Sequence, residues 1–336
     1  MDPQNMEMNT KHTLTAKLGG DCPEATRQPK RVLVTGGAGF IGTHVVAELT
    51  RCGYEPVVVD DLSTGLRANV PEAVTFKEMD ILDHGFQAWV TEVAPCCVIH
   101  LAAQIDVQTS ITKPRRDAQI NILGTLAVLE AAKAAGVEKV VYASSAAVFG
   151  EPQYLGVDEH HQVAPLSFYG ISKHTPEHYA AAFKELHGVD YTVLRYANVY
   201  GPGQGKTGEG GVVSIFAHCF LHGQPPVIFG DGKQTRDFVF VTDIARANIA
   251  ALSGGSGQVY NIGTGTATSV LDIYQTMAAV TGMQLPVAYK AARVGDILHS
   301  YFNVEKARSE LGWEAQVPLD EGLRLTLDSM GVPTGR

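Results

Sequence analysis

A glycine-rich stretch constrains the fold more than any other segment of the sequence. Residues 36–42 read GGAGFIG, which places Gly36, Gly39 and Gly42 at a G-x-x-G-x-x-G spacing. The apolar run Val32–Val34 precedes this stretch, and apolar residues recur after it at helical spacing. The pattern therefore predicts a buried strand, a tight turn and a helix in direct succession.

A turn of this kind can hold an anion. Glycine lets the backbone turn without Cβ strain and approach a bound group closely. The first helical turn, at Phe40, Ile41 and Gly42, would offer unpaired N–H groups and the positive end of the helix dipole. A second apolar run, Val57–Val59, ends at Asp60, 21 positions after the second glycine of the motif. A carboxylate there can bind the ribose hydroxyls of a dinucleotide and would repel a 2′-phosphate, so NAD is the predicted cofactor.

Further apolar runs alternate with helical patterns along the chain up to about residue 200. The runs at 98–101, 140–143 and 191–194 predict core strands, and the segments 122–135 and 173–187 predict helices. This alternation predicts right-handed crossovers and a parallel sheet that is covered on both faces. The expected fold class is α/β, a Rossmann-type doubly wound parallel sheet with a smaller α/β C-terminal lobe.

Changes in composition and pattern along the sequence predict three regions. Residues 1–30 are polar and contain no apolar stretch, which indicates a flexible N-terminal extension. Residues 31–200 would form the nucleotide-binding domain, with some later segments returning to it. Residues 201–336 would form mainly a substrate-binding lobe, which opens with a glycine-rich loop at 201–211. The helical patterns of this lobe lie near 215–221, 270–281 and 319–329.

Composition excludes several classes of protein. Lys plus Arg number 26 against 35 Asp plus Glu, a formal charge of −9, which excludes a globally basic nucleic-acid binder. No apolar run approaches the ~18 residues that a membrane span needs. The five cysteines follow no metal-ligand spacing, so no metal site is expected, and their odd number argues against a disulfide framework. We therefore expect a cytoplasmic protein without a nucleic-acid or membrane partner.

Two short motifs suggest proton transfer. Tyr169 and Lys173 stand four residues apart, which places both side chains on one face of a helix. A free tyrosine has a pKa of about 10, which is too high for a base at neutral pH. A nearby ammonium group and a cationic nicotinamide ring would favour the phenolate and lower that pKa. Ser144 and Ser145 follow the apolar run at 140–143, where a hydroxyl could position a substrate oxygen at the same sheet edge.

With these motifs in place, the sequence resembles the extended short-chain dehydrogenases/reductases, in their sugar-nucleotide epimerase/dehydratase branch. The resemblance runs from about residue 31 to residue 329. Besides the motifs above, it includes DI at 80–81, LAAQ at 101–104, NILGT at 121–125, SSAAVFG at 144–150, RYANVYGP at 195–202, GDGKQTRDFVFV at 230–241 and RVGD at 293–296.

The resemblance implies roles for individual residues. It makes Ser145, Tyr169 and Lys173 the catalytic set, with Ser145 preferred to Ser144 because it directly precedes the segment AAV. The cofactor-binding residues that it implies, beside those of the glycine turn, are Asp60, Asn69, Asp80, Ile81, Leu101, Ala102, Ala103, Asn121, Tyr169 and Lys173. The substrate-binding residues that it implies are Gln104, Asn198, Val213, Arg236, Arg293, Asp296 and Ser300. Two guanidinium groups suit the diphosphate of such a substrate.

The activity implied by the resemblance is NAD-dependent 4-epimerisation of a UDP-hexose, UDP-glucose or UDP-galactose, through a transient 4-keto sugar. Dehydratases of the branch usually carry an Asp-Glu pair after the catalytic hydroxyl, but here Ala146 and Ala147 cannot transfer protons. A UDP-glucuronate 4-epimerase and a 4-ketosugar reductase remain alternatives. A non-catalytic NAD-binding regulator would be expected to lack the Tyr/Lys/Ser set. The resemblance also implies a homodimer, and a small Ser300 that leaves room for N-acetylated sugars.

Two positions depart from the family pattern. Pro176 lies three residues after Lys173, where it is expected to kink the helix or to shift its start, because proline has no N–H to donate. Phe149 stands where the family frequently has Tyr, which removes one hydroxyl from the expected neighbourhood of the substrate.

Overall fold

The predicted strands pair into one parallel sheet. The computed structural model describes residues 30–205, 211–292 and 297–335. The strands of this part of the chain are β1 (Arg31–Thr35), β2 (Glu55–Asp60), β3 (Thr75–Glu78), β4 (Cys97–His100), β5 (Lys139–Ser145), β6 (Asp190–Tyr196), β7 (Asn198–Tyr200), β8 (Val227–Phe229), β9 (Thr235–Arg236), β10 (Phe238–Phe240), β11 (Gln258–Ile262), β12 (Thr268–Ser269) and β13 (Ala288–Lys290).

Helices connect these strands. Those of the same described ranges are α1 (Phe40–Arg51), α2 (Phe86–Val93), α3 (Val107–Thr112), α4 (Pro114–Ala118), α5 (Gly124–Ala134), α6 (Phe168–His187), α7 (Val212–His222), α8 (Val241–Ser253), α9 (Val270–Thr281), α10 (Glu305–Leu311) and α11 (Leu319–Ser329). A π-helical turn, Gln119–Leu123, joins α4 to α5, and 3₁₀ turns occupy Arg67–Asn69 and Ala146–Val148.

The strand order identifies where a ligand can bind. The seven-stranded sheet has the order β11-β6-β5-β4-β1-β2-β3, and its neighbouring strands are parallel. Strands β2 and β3 therefore lie on one side of β1, and β4, which follows them in the chain, lies on the other side of β1. At such a switch point the loops after the two strands diverge and leave a crevice at the carboxyl edge of the sheet. The expected Rossmann-type fold class is confirmed.

Both faces of the sheet are covered, as the continuous apolar runs predict. Val32 and Val34 pack on one face with Val45 and Leu49 of α1. Leu33, between them, points to the opposite face and joins a core that includes residues of α2 and α5. Because successive side chains of a strand alternate between faces, a strand buried on both sides must be apolar at every position.

Shorter elements form a second lobe after β7. Three two-stranded pairs, β7 with β10, β8 with β13 and β9 with β12, lie beside helices α7, α9 and α11. Phe216, Met277 and Leu327 belong to the separate apolar core of these helices. Late strand β11 joins the large sheet beside β6. The division of the chain at residue 200 stays a prediction, and the extension at 1–30 lies, except for Lys30, outside the described residues.

Helix α6 begins earlier than the sequence pattern predicts. It starts at Phe168 rather than at Lys173, because the hydroxyl of Ser167 accepts a hydrogen bond from the N–H of Gly170 at 3.1 Å and caps the helix. Pro176 is inside the helix and does not set its start. Without an N–H, Pro176 cannot bond to the carbonyl of Ser172 as other residues at this position would.

The described ranges contain neither a membrane span of helical form nor a cluster of metal ligands. No helix there is both long enough and apolar enough to cross a membrane. No group of three or more His, Cys, Asp or Glu side chains in the same ranges is arranged to hold a metal ion.

Candidate functional site

The glycine turn between β1 and α1 has no room for larger side chains. Gly36 has a φ of +70°, and a Cβ there would lie 2.7 Å from the backbone nitrogen of Ala102. A Cβ on Gly42 would lie 2.2 Å from the carbonyl oxygen of Gly36. The backbone therefore passes close to itself and to the loop after β4, which larger residues would prevent.

The first turn of α1 points unpaired donors toward this space. Gly39 is the N-cap residue, and the first intrahelical hydrogen bond runs from the N–H of Thr43 to the carbonyl of Gly39 at 3.0 Å. The N–H groups of Phe40, Ile41 and Gly42 thus have no helical carbonyl four residues earlier to which they could donate. Together with the close-packed glycines, this geometry fits the pyrophosphate of a dinucleotide.

Asp60, at the end of β2, is held against the glycine turn. Its side chain is 8% exposed and accepts hydrogen bonds from the N–H groups of Ala38 and Leu62, each at 2.9 Å. Burial raises the pKa of this carboxyl, and the two backbone hydrogen bonds oppose the rise. Asn69 donates to the carbonyl of Ala38 at 2.9 Å. Asp60 therefore binds the N–H of Ala38 and Asn69 binds its carbonyl, so both backbone polar groups of this residue are fixed.

The residues expected near adenine follow β3. Asp80 is exposed and accepts from the N–H of Leu82 at 2.9 Å, whereas Ile81 is buried. A Cβ on Gly124, the first residue of α5, would lie 2.7 Å from Cδ1 of Ile81. The structure thus places this pair at the same carboxyl edge of the sheet as Asp60, since β2 and β3 are parallel neighbours.

The side chain of Asn121 holds the loop after β4 in place. Leu101, Ala102 and Ala103 are half-buried. Asn121 is 1% exposed, and its amide both accepts from the N–H of Gln104 and donates to the carbonyl of Gln104, each at 2.8 Å. The side chain of Asn121 therefore orders this loop, whose backbone at Ala102 passes close to Gly36 of the glycine turn.

His100 at the end of β4 is a residue that the sequence analysis missed. Its ring lies 2.7 Å from the hydroxyl of Thr35 through Nδ1 and 2.9 Å from the hydroxyl of Thr125 through Nε2. Thr35 also accepts from the N–H of Ala102 at 3.2 Å. Burial, and then the positive charge of Lys173, lower the pKa of His100 to about 3. A neutral imidazole thus links β1, β4 and α5 beneath the crevice, and no local pattern around His100 signals these partners.

The two serines at the end of β5 differ in environment. Ser144 is 3% exposed and donates to the carboxylate of Glu177 at 2.6 Å. Ser145 is half-buried, and its hydroxyl accepts from the N–H of Ala147 at 3.2 Å. Only the hydroxyl of Ser145 therefore combines partial exposure with a place at the sheet edge.

Helix α6 brings Tyr169 and Lys173 to the same place. A Cβ on Gly170 would lie 2.5 Å from the carbonyl oxygen of Ala147, so the first turn of α6 packs directly on the segment after Ser145. Tyr169 is half-buried. Lys173 is buried, and its Nζ lies 4.9 Å from the centroid of the Tyr142 ring. Burial lowers the pKa of Lys173 to about 8, against the opposing effect of nearby carboxylates.

A buried ion pair, also absent from the sequence analysis, joins α6 to β6. Arg195 donates to Glu177 through Nε at 3.0 Å and through Nη2 at 2.6 Å. Burial alone would raise the pKa of Glu177, but hydrogen bonds from His174, Arg195 and Ser144 lower it to about 2. The guanidinium carbon of Arg195 lies 4.8 Å from the centroid of the Phe149 ring. Phe149 is thus buried beneath a cation.

Three of the predicted substrate residues lie on adjoining segments of the second lobe. Asn198 is exposed at the start of β7, and its N–H donates to the carbonyl of Asp237 at 2.9 Å. Arg236 lies next to Asp237, on β9. The N–H of Ser300 donates to the carbonyl of Thr235 at 3.2 Å, which places Ser300 beside Arg236. Asn198, Arg236 and Ser300 are therefore neighbours in the backbone pairing.

Asp237, another residue that the sequence analysis did not single out, anchors this group. Its buried carboxylate accepts from both the N–H and the hydroxyl of Thr264, at 2.8 and 2.7 Å. It also accepts from the N–H groups of Gly265 and Phe302, at 3.0 and 3.3 Å. Burial raises the pKa of Asp237, and these hydrogen bonds oppose the rise. These contacts fix the backbone next to Arg236.

The remaining predicted substrate residues are placed differently. The side chain of Gln104 donates to the carboxylate of Asp117 at 2.8 Å and accepts from the N–H of Asp106 at 2.6 Å. Val213 is 1% exposed in the core of the second lobe, so it could meet a substrate only through its backbone, in the first turn of α7. Arg293 and Asp296 lie outside the described residues.

The fold and these contacts define a class: a Rossmann-type protein with a dinucleotide turn and a Ser-Tyr-Lys set at one sheet edge. The pattern of the NAD dependent epimerase/dehydratase family matches residues 32–263. The chain belongs to this family, so the resemblance expected from the sequence is confirmed.

Three relatives show how far the similarity extends. A UDP-glucose 4-epimerase of Mycolicibacterium smegmatis is 40% identical over 305 residues, covering 89% of this chain and 97% of that protein. The structure of UDP-glucose 4-epimerase from Thermotoga maritima with UDP-glucose is 42% identical, with a TM-score of 0.86, and covers 90% of this chain and 98% of that one. The Thermus thermophilus UDP-glucose 4-epimerase in complex with NAD is 40% identical, with a TM-score of 0.85, covering 90% and 99%.

Proposed function

We propose that this protein is an NAD-dependent UDP-sugar 4-epimerase that interconverts UDP-glucose and UDP-galactose. The observation that carries the proposal is the close packing of α6 at Gly170, between Tyr169 and Lys173, on Ala147, two residues after Ser145. Ser145 is followed by Ala146 and Ala147, which cannot transfer protons, so these two positions lack the Asp-Glu pair that dehydratases usually carry for elimination. Chemistry that only removes and returns one hydroxyl proton fits such a site.

Each catalytic residue has a separate task in this proposal. Tyr169, as phenolate, removes the proton from the 4-hydroxyl of the sugar. Ser145 positions that hydroxyl. Lys173 stabilises the phenolate through its positive charge. NAD, bound at the glycine turn and Asp60, would supply the hydride acceptor and donor. After the 4-keto sugar turns in the pocket, Tyr169 returns the proton.

The substrate is held by its diphosphate in the second lobe. Arg236 supplies a guanidinium group, which suits a diphosphate. The first turn of α7, at Val213, supplies backbone N–H groups. Asn198 is exposed beside them. We assign Arg293 and Asp296 to the same anchor on the family resemblance. The small side chain of Ser300 leaves space beside the sugar, so UDP-N-acetylglucosamine is also expected to react.

The exposed face of α6 supports a homodimer. Four large apolar side chains recur at helical spacing along the 20 residues of this helix and are exposed: Phe168 (49%), Ile171 (46%), Tyr179 (40%) and Leu186 (75%). An apolar stripe of this length on the surface is typical of a protein interface. A second copy of the chain, pairing α6 and α5 with their counterparts, would cover it. We place the protein in the cytoplasm, because its five cysteines, an odd number, do not suggest the disulfide framework that is typical of secreted proteins.

Product analysis tests the activity directly. Purified protein is incubated with UDP-glucose, UDP-galactose, UDP-N-acetylglucosamine and UDP-glucuronate without added cofactor, and the products are separated by chromatography. We expect the C4 epimers of the first three, formed with catalytic amounts of bound NAD.

Tyr169→Phe should lower the rate by about 10²–10⁴-fold, because only the base is lost. A parallel incubation with a nucleoside-diphosphate 4-ketosugar and added NADH tests the alternative, since a ketosugar reductase would consume NADH in proportion to the ketosugar reduced. Conversion of UDP-glucuronate alone would identify a different sugar.

A further inference from the structure

Lys173 is a cation that the protein encloses. Lys173 is 4% exposed, and its ammonium group lies over the ring of Tyr142. A buried ammonium loses its hydration, which favours the neutral amine. Since the proposed base Tyr169 needs a protonated lysine beside it, the anions around Lys173 determine whether the site can work.

The titratable and charged groups around Lys173 come from five elements. They are Asp117 on α4, His100 on β4, Tyr142 on β5, Arg195 on β6, and Tyr169 and Glu177 on α6 itself. His100 is neutral, since its pKa is lowered to about 3. Tyr142 is neutral too, because burial raises its pKa well above the ordinary value. The remaining fixed charges are those of Asp117, Glu177 and Arg195.

The charge of Glu177 is largely offset. Both of its oxygens accept hydrogen bonds from the guanidinium group of Arg195, at 3.0 and 2.6 Å, in a buried two-point contact. Such a pair presents little net charge to a third group. Glu177 therefore ties α6 to β6 but adds only part of a negative charge at Lys173.

Asp117 is placed differently. It is 1% exposed and accepts hydrogen bonds from two neutral amides, Gln104 Nε2 at 2.8 Å and Asn121 Nδ2 at 3.2 Å. Asn121 Nδ2 also lies 2.9 Å from the hydroxyl of Ser172, the residue before Lys173. The carboxylate is therefore held against the turn of α6 that carries the lysine, and neither of these donors neutralises it.

We propose that Asp117 is the counter-ion of Lys173, a positioning residue that keeps the ammonium group charged beside Tyr169. The inference deepens the proposed function, because it rests on Tyr169 as the base. Asp117 acts through Lys173 and does not itself touch the sugar. It accounts for a buried carboxylate, 56 positions before the lysine in the chain, that the catalytic set leaves without a role.

The titration of Lys173 tests this proposal without turnover. NAD-loaded protein carrying lysine labelled with ¹³C at Cε is titrated by NMR, with the Lys173 signal assigned from a Lys173→Arg variant. Asp117→Asn keeps the shape and an acceptor oxygen for Gln104 but removes the charge. We expect the midpoint of the Lys173 titration to fall by about one pH unit or more. Glu92→Gln, an exposed site on α2 with the same change in net charge, should leave the midpoint unchanged.

An unchanged midpoint in Asp117→Asn would overturn the proposal. If that variant does not fold, the Cγ signal of Asp117 in the wild-type protein decides: an ionised carboxylate at neutral pH supports the proposal, and a neutral one overturns it. Where UDP-sugars are turned over, the alkaline limb of the pH–rate profile should move down with the midpoint. A shifted midpoint in a protein that converts none of the UDP-sugars would refute the proposed function and leave the counter-ion standing.

Discussion

At the scale of single residues, two adjacent serines have opposite surroundings. Ser144 is buried and donates to Glu177, whereas Ser145 is half-buried at the sheet edge beside α6. Side chains of neighbouring residues in a strand point to opposite faces, so only one of the two can reach the crevice. The proposal therefore gives the substrate contact to Ser145 and a structural contact to Ser144.

The two serines should separate activity from stability. Ser145→Ala should lower kcat by about 10²-fold or more, with the free energy of unfolding nearly unchanged. Ser144→Ala should lower the free energy of unfolding by about 2 kcal/mol, because it removes a hydrogen bond to a buried charge. Steady-state kinetics and urea unfolding of both variants make the comparison. Similar losses of activity in the two variants would contradict the assignment.

At the scale of elements, α1 is joined to the loop that follows β7. His44 Nε2 lies 2.9 Å from the carbonyl of Pro202, and a carbonyl only accepts, so Nε2 carries the proton. Burial lowers the pKa of His44, and this hydrogen bond opposes the effect. Further along the same loop, the carbonyl of Gly205 accepts from the hydroxyl of Ser214 on α7 at 2.8 Å. Residues 202–205 of this loop thus contact both α1, which we propose for the cofactor, and α7, which we propose for the diphosphate.

Removing this link should affect the substrate more than the cofactor. We expect His44→Ala to raise the KM for UDP-glucose by about 5-fold, the equivalent of one hydrogen bond of about 1 kcal/mol. The NAD content of the purified protein should stay at the wild-type level, because Asp60 and the glycine turn are intact. His44→Gln retains a donor and serves as the control. A loss of bound NAD with an unchanged KM would show that His44 supports the cofactor side instead.

At the scale of the whole molecule, buried titratable groups make stability depend on pH. His100 has a pKa of about 3 in the folded protein against an ordinary value of 6.5. Between these values the unfolded chain binds a proton that the folded protein does not, so stability falls as the pH falls. Below about 4.5, Glu177 adds to the loss, since its pKa is lowered to about 2. The protein should therefore lose stability progressively below neutral pH.

A histidine variant isolates this contribution. His100→Gln should flatten the dependence of the unfolding free energy on pH between about 5 and 6.5 by up to about 1.4 kcal/mol per pH unit, the effect of one proton. Urea unfolding at several pH values measures the slope. His84→Gln, at an exposed histidine after β3, is the matched control. Equal slopes in the wild-type protein and in His100→Gln would mean that His100 is not held neutral.

Features that depend on neighbouring residues in the chain could be predicted from the sequence alone. The strand, glycine turn and helix at 31–51 follow from local apolar spacing and from glycine, and the four-residue spacing of Tyr169 and Lys173 places both on one helical face. The predicted start of α6 was wrong by five residues, because Gly170 and Pro176 obscure a helix that the cap at Ser167 begins. The alternation of strands and helices was sufficient for the parallel sheet.

Contacts between side chains that are distant in the chain arise from the fold and could not be predicted. Ser144 and Glu177 are 33 residues apart, Arg195 on β6 pairs with Glu177 on α6, and Asp117 is linked to α6 through Asn121. Such partners depend on the packing of β5, β6 and α6, which no local pattern encodes. Burial then sets the charges, because the same lysine or histidine titrates differently once it is removed from water. For this reason the sequence could suggest Ser145, Tyr169 and Lys173 as a catalytic set, which stays a prediction, but it could not suggest the buried groups that surround them.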